Sequence, residues 1–188
     1  MGCDAQDPNR GLMTTRVKPA DSTEHAVRAP VMGHRSLALL RIAIGFLWIQ
    51  NADWKIPPSF DALLHFTKFA VDYPVFPPYA WLVQHLVLPN FVFFGWGVLL
   101  LESALGGFLL VGLATRFWAV LGIAQTVAIS LSVLYAPNEW HWSYFLMLLA
   151  HIVILGTAAG RYAGIDGVLR PSWQASSSWV AKVLARAS

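Results

Sequence analysis

Four long apolar stretches, at about 36–55, 90–113, 116–136 and 141–161, restrict this 188-residue chain more than any other feature. A helix needs about 20 apolar residues to cross the hydrocarbon core of a bilayer, and each stretch is about that long. Charge is withheld from them. Between Phe91 and Ala136 only Glu102 and Arg116 are charged, whereas residues 1–35 hold nine acidic or basic side chains. Charged residues make up 12% of the chain, against about 25% in a soluble domain. A transmembrane β-barrel would need alternating segments of about ten residues, and the sequence has none. It therefore predicts an all-α, polytopic membrane protein built as a four-helix bundle.

The placement of positive charge gives an orientation. Arg10, Arg16, Lys18, Arg28 and Arg35 precede the first span, Arg116 sits in the turn between the second and third, and Arg161 and Arg170 follow the fourth. The opposite connections, 56–89 and 137–140, carry only Lys68 beyond Lys55. The positive-inside rule then puts both termini in the cytoplasm, with the protein in the cell membrane. A net charge of +3 placed this way needs no nucleic-acid partner. Three regions follow: a mobile tail over 1–35, the transmembrane domain over 36–170, and a surface helix over 171–188. In that last segment Trp179, Val180, Val183 and Leu184 oppose Lys182 and Arg186, as in a helix lying on the inner surface.

The connection 56–89 is too polar to cross. Ser59 is placed to cap a short helix from Phe60 to about Val71, and Pro77-Pro78 to start another through Leu88. Both have apolar faces, which predicts interfacial helices on the outer surface. Trp81, Trp140 and Trp142 fall at the outer interface and Trp118 at the inner one. The single cysteine, Cys3, excludes an intramolecular disulfide and a CxxC redox centre. Six scattered histidines have no metal-ligand spacing, and no flavin motif is present. Haem would want a second histidine at the depth of His151, whereas His85 and His141 lie near the outer surface.

Glu102 is the group that needs explaining. It lies near the midplane, about twelve residues from either end of its span, where a carboxylate costs at least roughly 2.5 kcal/mol. It must be paired, or kept neutral against a backbone carbonyl. Gly106, one turn on, with Ser103 and Gly107 beside that face, lets another helix come close, so Glu102 should face inward. Arg41 is the expected partner, offset by about 10 Å along the axis. The pair is either a structural ion pair or a site for a polar ligand or a proton. Gln125 and His151 share the depth of Glu102; with Arg41 below and Trp48 above they outline a polar pocket. A quinone headgroup suits such a pocket, and so does plain helix adhesion. At the outer end of the first span Asn51, Trp54 and Lys55 form either an interface belt or a port for an anionic substrate.

Three segments, "LLRIAIGFLWIQNADWKIPPSF", "VLPNFVFFGWGVLLLESALGGFLLVGLATR" and "NEWHWSYFLMLLAHIVILGTAAGRYAGIDGVLR", resemble the DoxX/DoxD family of small four-helix membrane proteins over about residues 36–170. The matching positions are Arg41, Gly45, Lys55, Glu102, Thr115, Arg116, Gly160, Arg161 and Asp166; Asn51-Ala52 stands where the family often has a glycine. The resemblance implies an integral membrane subunit of a quinone-linked oxidoreductase of the thiosulfate:quinone type. Glu102, Arg41 and His151 would serve catalysis, Glu102, Gln125 and Trp48 the quinone, and Lys55, Asn51 and Trp54 the substrate. A second protein subunit or a homo-oligomer is the expected partner within the lipid bilayer. The alternative is a non-catalytic membrane anchor or assembly subunit, and a small-solute or proton conductor is a third reading.

Overall fold

The computed structural model describes residues 31–188, together with Gly2. Cys3, Arg10, Arg16, Lys18, Arg28 and the predicted tail up to residue 30, Gly2 apart, lie outside the described residues. Those described are helical, with no strand among them: α1 Val31–Asp53, α2 Asp61–Asp72, α3 Pro77–Leu82, α4 Phe91–Val111, α5 Thr115–Val133, α6 His141–Thr157, α7 Ile165–Ala175 and α8 Trp179–Ala187. The all-α expectation holds in these residues.

Local sequence accounts for the breaks between helices. Pro77 starts α3 as expected, but the helix does not stop at Leu88. A π turn over Val83–Val87 and a 3-10 turn over Leu88–Asn90 carry it into α4, giving one helical run of 35 residues, Pro77–Val111. Pro89 has no N–H to donate and its ring clashes with the preceding turn; the wider and tighter turns around it absorb that defect. Ser59 does not cap α2. Its hydroxyl donates to Asp61 Oδ2 at 2.7 Å, while Phe60, with φ 53°, turns the chain into the helix. Phe60 is fully buried, its ring packed edge-on to Trp96.

Two helices are long and apolar enough to cross a membrane, the run Pro77–Val111 and α5. Two other predicted spans are weaker by that measure: α1 has 23 residues but holds Arg41 and a polar end, and α6 has 17. Large apolar side chains face outward along these helices. Leu39 is 68% exposed, Phe93 77% and Leu100 64%. A water-soluble monomer rarely shows contiguous apolar patches above a few hundred Å².

The apolar residues that do turn inward join α1, α4, α5 and α6 around Trp48, Leu105, Leu109 and Ile154. α1 packs along α4 and α5 along α6. Glycines set the first contact. A Cβ on Gly106 would lie 2.9 Å from the Gly45 carbonyl oxygen, and one on Gly45 would lie 2.8 Å from Leu110 N. The two backbones therefore touch, as small residues allow between membrane helices.

This register overturns the expected Arg41–Glu102 pair. Opposing Gly45 to Gly106 carries Arg41 past Glu102 to the end of α4. There Arg41 Nη1 donates to the carbonyls of Leu109 and Leu110 at 2.6 and 2.8 Å, and Nη2 to Ala163 at 3.0 Å. The last four carbonyls of a helix lack internal partners, and a cation suits that end of the helix dipole. Gly112, with φ 70°, ends α4 and leaves room for the guanidinium; a Cβ there would lie 2.5 Å from Nη1. The same logic recurs nearby. Asp166 accepts from Ala114 N at 2.7 Å and Thr115 N at 2.9 Å, capping the start of α5 from outside it. Arg116 Nε donates at 3.2 Å to Leu155 in the last turn of α6. α7 delivers Asp166; it straddles the expected boundary at residue 170, so the segment 171–188 is not one helix but the end of α7 followed by α8.

If the glycine contact sets the register, Gly106→Ala costs about 1–3 kcal/mol, the usual penalty for overpacking. Gly107→Ala, where a Cβ meets nothing within 4 Å, leaves stability unchanged. Denaturation of both variants in mild detergent checks this; equal melting temperatures would disprove it.

Candidate functional site

Glu102 sits at the centre of α4 and is fully buried. Its partner is Lys55, just past the end of α1. The ammonium lies 2.5 Å from Oε2, and Lys55 is itself only 3% exposed. α1 ends half-way along α4, so its polar last turn meets the middle of the facing helix. Two amides complete the shell. Asn51 Nδ2 donates to Oε2 at 3.2 Å, and Gln125 Nε2, from α5, donates to Oε1 at 3.0 Å. Lys55 Nζ also donates to the Asn51 carbonyl and lies 4.2 Å from the centroid of the Trp54 ring. Trp54 Nε1 in turn donates to Asn51 Oδ1 at 3.4 Å.

Lys55, Asn51 and Gln125 all donate to one carboxylate. A buried ion pair recovers its desolvation cost only with good geometry and with its remaining hydrogen-bonding capacity satisfied. Here the two amides supply most of that satisfaction.

The group forms one wall of a cavity of about 250 Å³. The other walls are largely apolar and aromatic, with Phe66 from α2, Phe94 and Val98 from α4, and Ile129 from α5. Away from Glu102 the lining turns polar again at Tyr79 and Ser132. The Tyr79 hydroxyl lies 3.2 Å from the Ala128 carbonyl, to which it donates, and 3.0 Å from Ser132 Oγ. α2 and α3 are thus parts of the cavity wall as well as surface helices.

Five expected site residues come together here: Glu102, Gln125, Lys55, Asn51 and Trp54 all line the cavity. Lys55 does not stand free at a port, because its charge is balanced by Glu102. Arg41, Trp48 and His151 are not among the lining residues. Trp48 Nε1 donates to His151 Nε2 at 2.9 Å, and His151 Nδ1 lies 2.7 Å from the Met147 carbonyl. An indole N–H only donates, so Nε2 accepts and Nδ1 donates. Both ring nitrogens are occupied in a structural bond between α1 and α6, with the imidazole against Gly122 of α5. Tyr79 was missed; only the spacing of Gln125 and Ser132, seven residues apart on one face of α5, pointed toward its neighbourhood.

Among the described residues no three His, Cys, Asp or Glu side chains gather as ion ligands. Comparison with protein-family models, with curated proteins and with solved structures returned no match.

The ion pair predicts a coupled double-mutant cycle. Glu102→Leu strands the buried ammonium and costs about 3–5 kcal/mol, while Lys55→Met together with Glu102→Leu recovers most of it. Detergent denaturation of Glu102→Leu, Lys55→Met and the double variant measures the coupling. Simple additivity would mean that the two groups do not sense each other.

Proposed function

We propose that the chain is a multi-pass membrane protein of the DoxX/DoxD type, a four-helix bundle of α1, α4, α5 and α6, and that its cavity receives a quinone ring. In this reading it is the membrane subunit of a quinone-linked oxidoreductase. The outward-facing apolar side chains support placement in a bilayer. Arg35, Arg116, Arg161 and Arg170 all belong to one end, which supports cytoplasmic termini. The ordered resemblance at Arg41, Gly45, Lys55, Glu102, Arg116, Arg161 and Asp166 supports the family.

One observation carries the ligand reading: the hydrogen-bonded group around Glu102, with Tyr79 and Ser132 away from it, lines an otherwise apolar, aromatic cavity. That is the usual form of a small-molecule site. Sites for whole drug-sized ligands span about 300–1,000 Å³, so about 250 Å³ suits a single ring with its isoprenoid tail left among the lipid-facing helices. The donors fit a quinone's two carbonyl oxygens. Gln125 and Asn51 each place one amide N–H on Glu102, and a primary amide carries two. Lys55 places two of its three N–H bonds, on Glu102 and on the Asn51 carbonyl. Gln125 and Lys55 therefore hold the ring oxygens, and the Glu102–Lys55 pair keeps a proton donor and acceptor beside them. When bound, a quinone supplies a two-electron acceptor that takes up two protons. The electrons come from a partner subunit or from an anionic sulfur donor such as thiosulfate, the class the resemblance implies.

The test is the quinone content of protein purified natively in mild detergent, wild type beside Val98→Phe. That substitution fills the apolar side of the cavity and leaves the polar wall intact. Near-stoichiometric quinone in the wild type, lost in a variant with unchanged helix content, is the expected result. Absence of quinone from the wild type would overturn the reading and favour a membrane anchor. In that case the exposed face of α8, with Trp179, Val180 and Val183, is the docking surface to examine.

A further inference from the structure

A second cavity, of about 530 Å³, lies at the arginine-rich end between α1 and the turn after α6. It shares no lining residue with the cavity beside Glu102. His34 and Arg35 come from α1, Arg161 and Tyr162 from the turn, and Leu39 and Ile42 continue the lining along α1. His34 stacks on Tyr162, with ring centroids 4.1 Å apart and planes within 10°, and so ties the two sides together.

Arg161 Nη2 donates to the Ser188 main-chain oxygen at 3.2 Å, but its Nε is buried and has no hydrogen-bond partner among the described residues. A buried donor left unsatisfied is costly. Desolvation, then repulsion from Arg170 and Arg116, pulls the Arg161 guanidinium below its usual range. Asp166, the carboxylate whose charge reaches Arg161, is committed to the N–H groups of Ala114 and Thr115. Arg170 is likewise committed, to the Ala185 and Ser188 carbonyls. Arg35 is exposed.

The lining thus joins two arginines to an outward-facing apolar strip. Inorganic phosphate would use the arginines and leave the strip bare. An apolar chain would use the strip and leave the arginines unpaired. A phospholipid with a net negative headgroup uses both, and basic pockets between membrane helices take such headgroups. We infer that this cavity binds an anionic phospholipid, its phosphate between Arg35 and Arg161 and an acyl chain along Leu39 and Ile42. The assignment rests on the bilayer placement proposed above and is independent of the quinone.

Native mass spectrometry of the full chain, released from detergent with equal dioleoyl phosphatidylglycerol and dioleoyl phosphatidylcholine, tests it. The wild type should retain phosphatidylglycerol over phosphatidylcholine by more than about tenfold, as two arginines imply. Arg35→Gln, an exposed position that leaves the fold intact, should lower that preference about fivefold. Lys182→Gln, on the exposed side of α8, controls for diffuse attraction and should leave the preference unchanged. Equal retention of the two lipids by the wild type, or equal losses in Arg35→Gln and Lys182→Gln, would overturn the site. Displacement of phosphatidylglycerol by millimolar inorganic phosphate would overturn the lipid assignment in favour of a free anion.

Discussion

The Lys55–Glu102 ion pair is the interaction on which the arrangement of these helices turns. A carboxylate at the centre of an apolar helix tolerates few solutions, and Lys55 supplies one only if α1 ends half-way along α4. That offset places Gly45 against Gly106, where the backbones touch. It also carries Arg41 beyond Glu102 to the carbonyls that end α4. The polar turn of α1, the glycine contact and the buried guanidinium are therefore three consequences of one register.

The same offset creates the cavity. Where α1 stops, α4 runs on through Pro89 into α3, and the space beside it falls to α2 and α3. These are amphipathic elements with aromatic inner faces, and they close around the polar group without filling the gap next to it. The cavity is thus bounded by the hydrogen-bonded group around Glu102 and by α2 and α3.

At the opposite end, the helix termini are satisfied by side chains from elsewhere. Arg41 serves α4, Asp166 serves α5 and Arg116 serves α6. The connection Gly112–Ala114 caps only the Phe108 carbonyl of α4, through the N–H groups of Gly112 and Leu113, and leaves the other orphan groups to those side chains. Arg41 and Asp166 are both fully buried, and this is structural work.

The helical class, the approximate extent of each apolar helix, and the need for Glu102 to face inward and be compensated are legible in the order of residues. Periodicity and the cost of a buried charge are local properties, so they are readable residue by residue. Gln125 was placed correctly for the same reason, since depth follows from counting along a helix. Which cation reaches Glu102 was decided only by the tertiary structure. Counting assumes that neighbouring helices begin and end at one level, and the sliding of α1 along α4 breaks that assumption. Lys55 thereby takes the role that depth alone assigned to Arg41, and Arg41 caps the end of α4 instead. His151 was misplaced through orientation rather than depth: its ring lies against Gly122 of α5 and accepts from Trp48 of α1, and that choice belongs to the packing of three helices together.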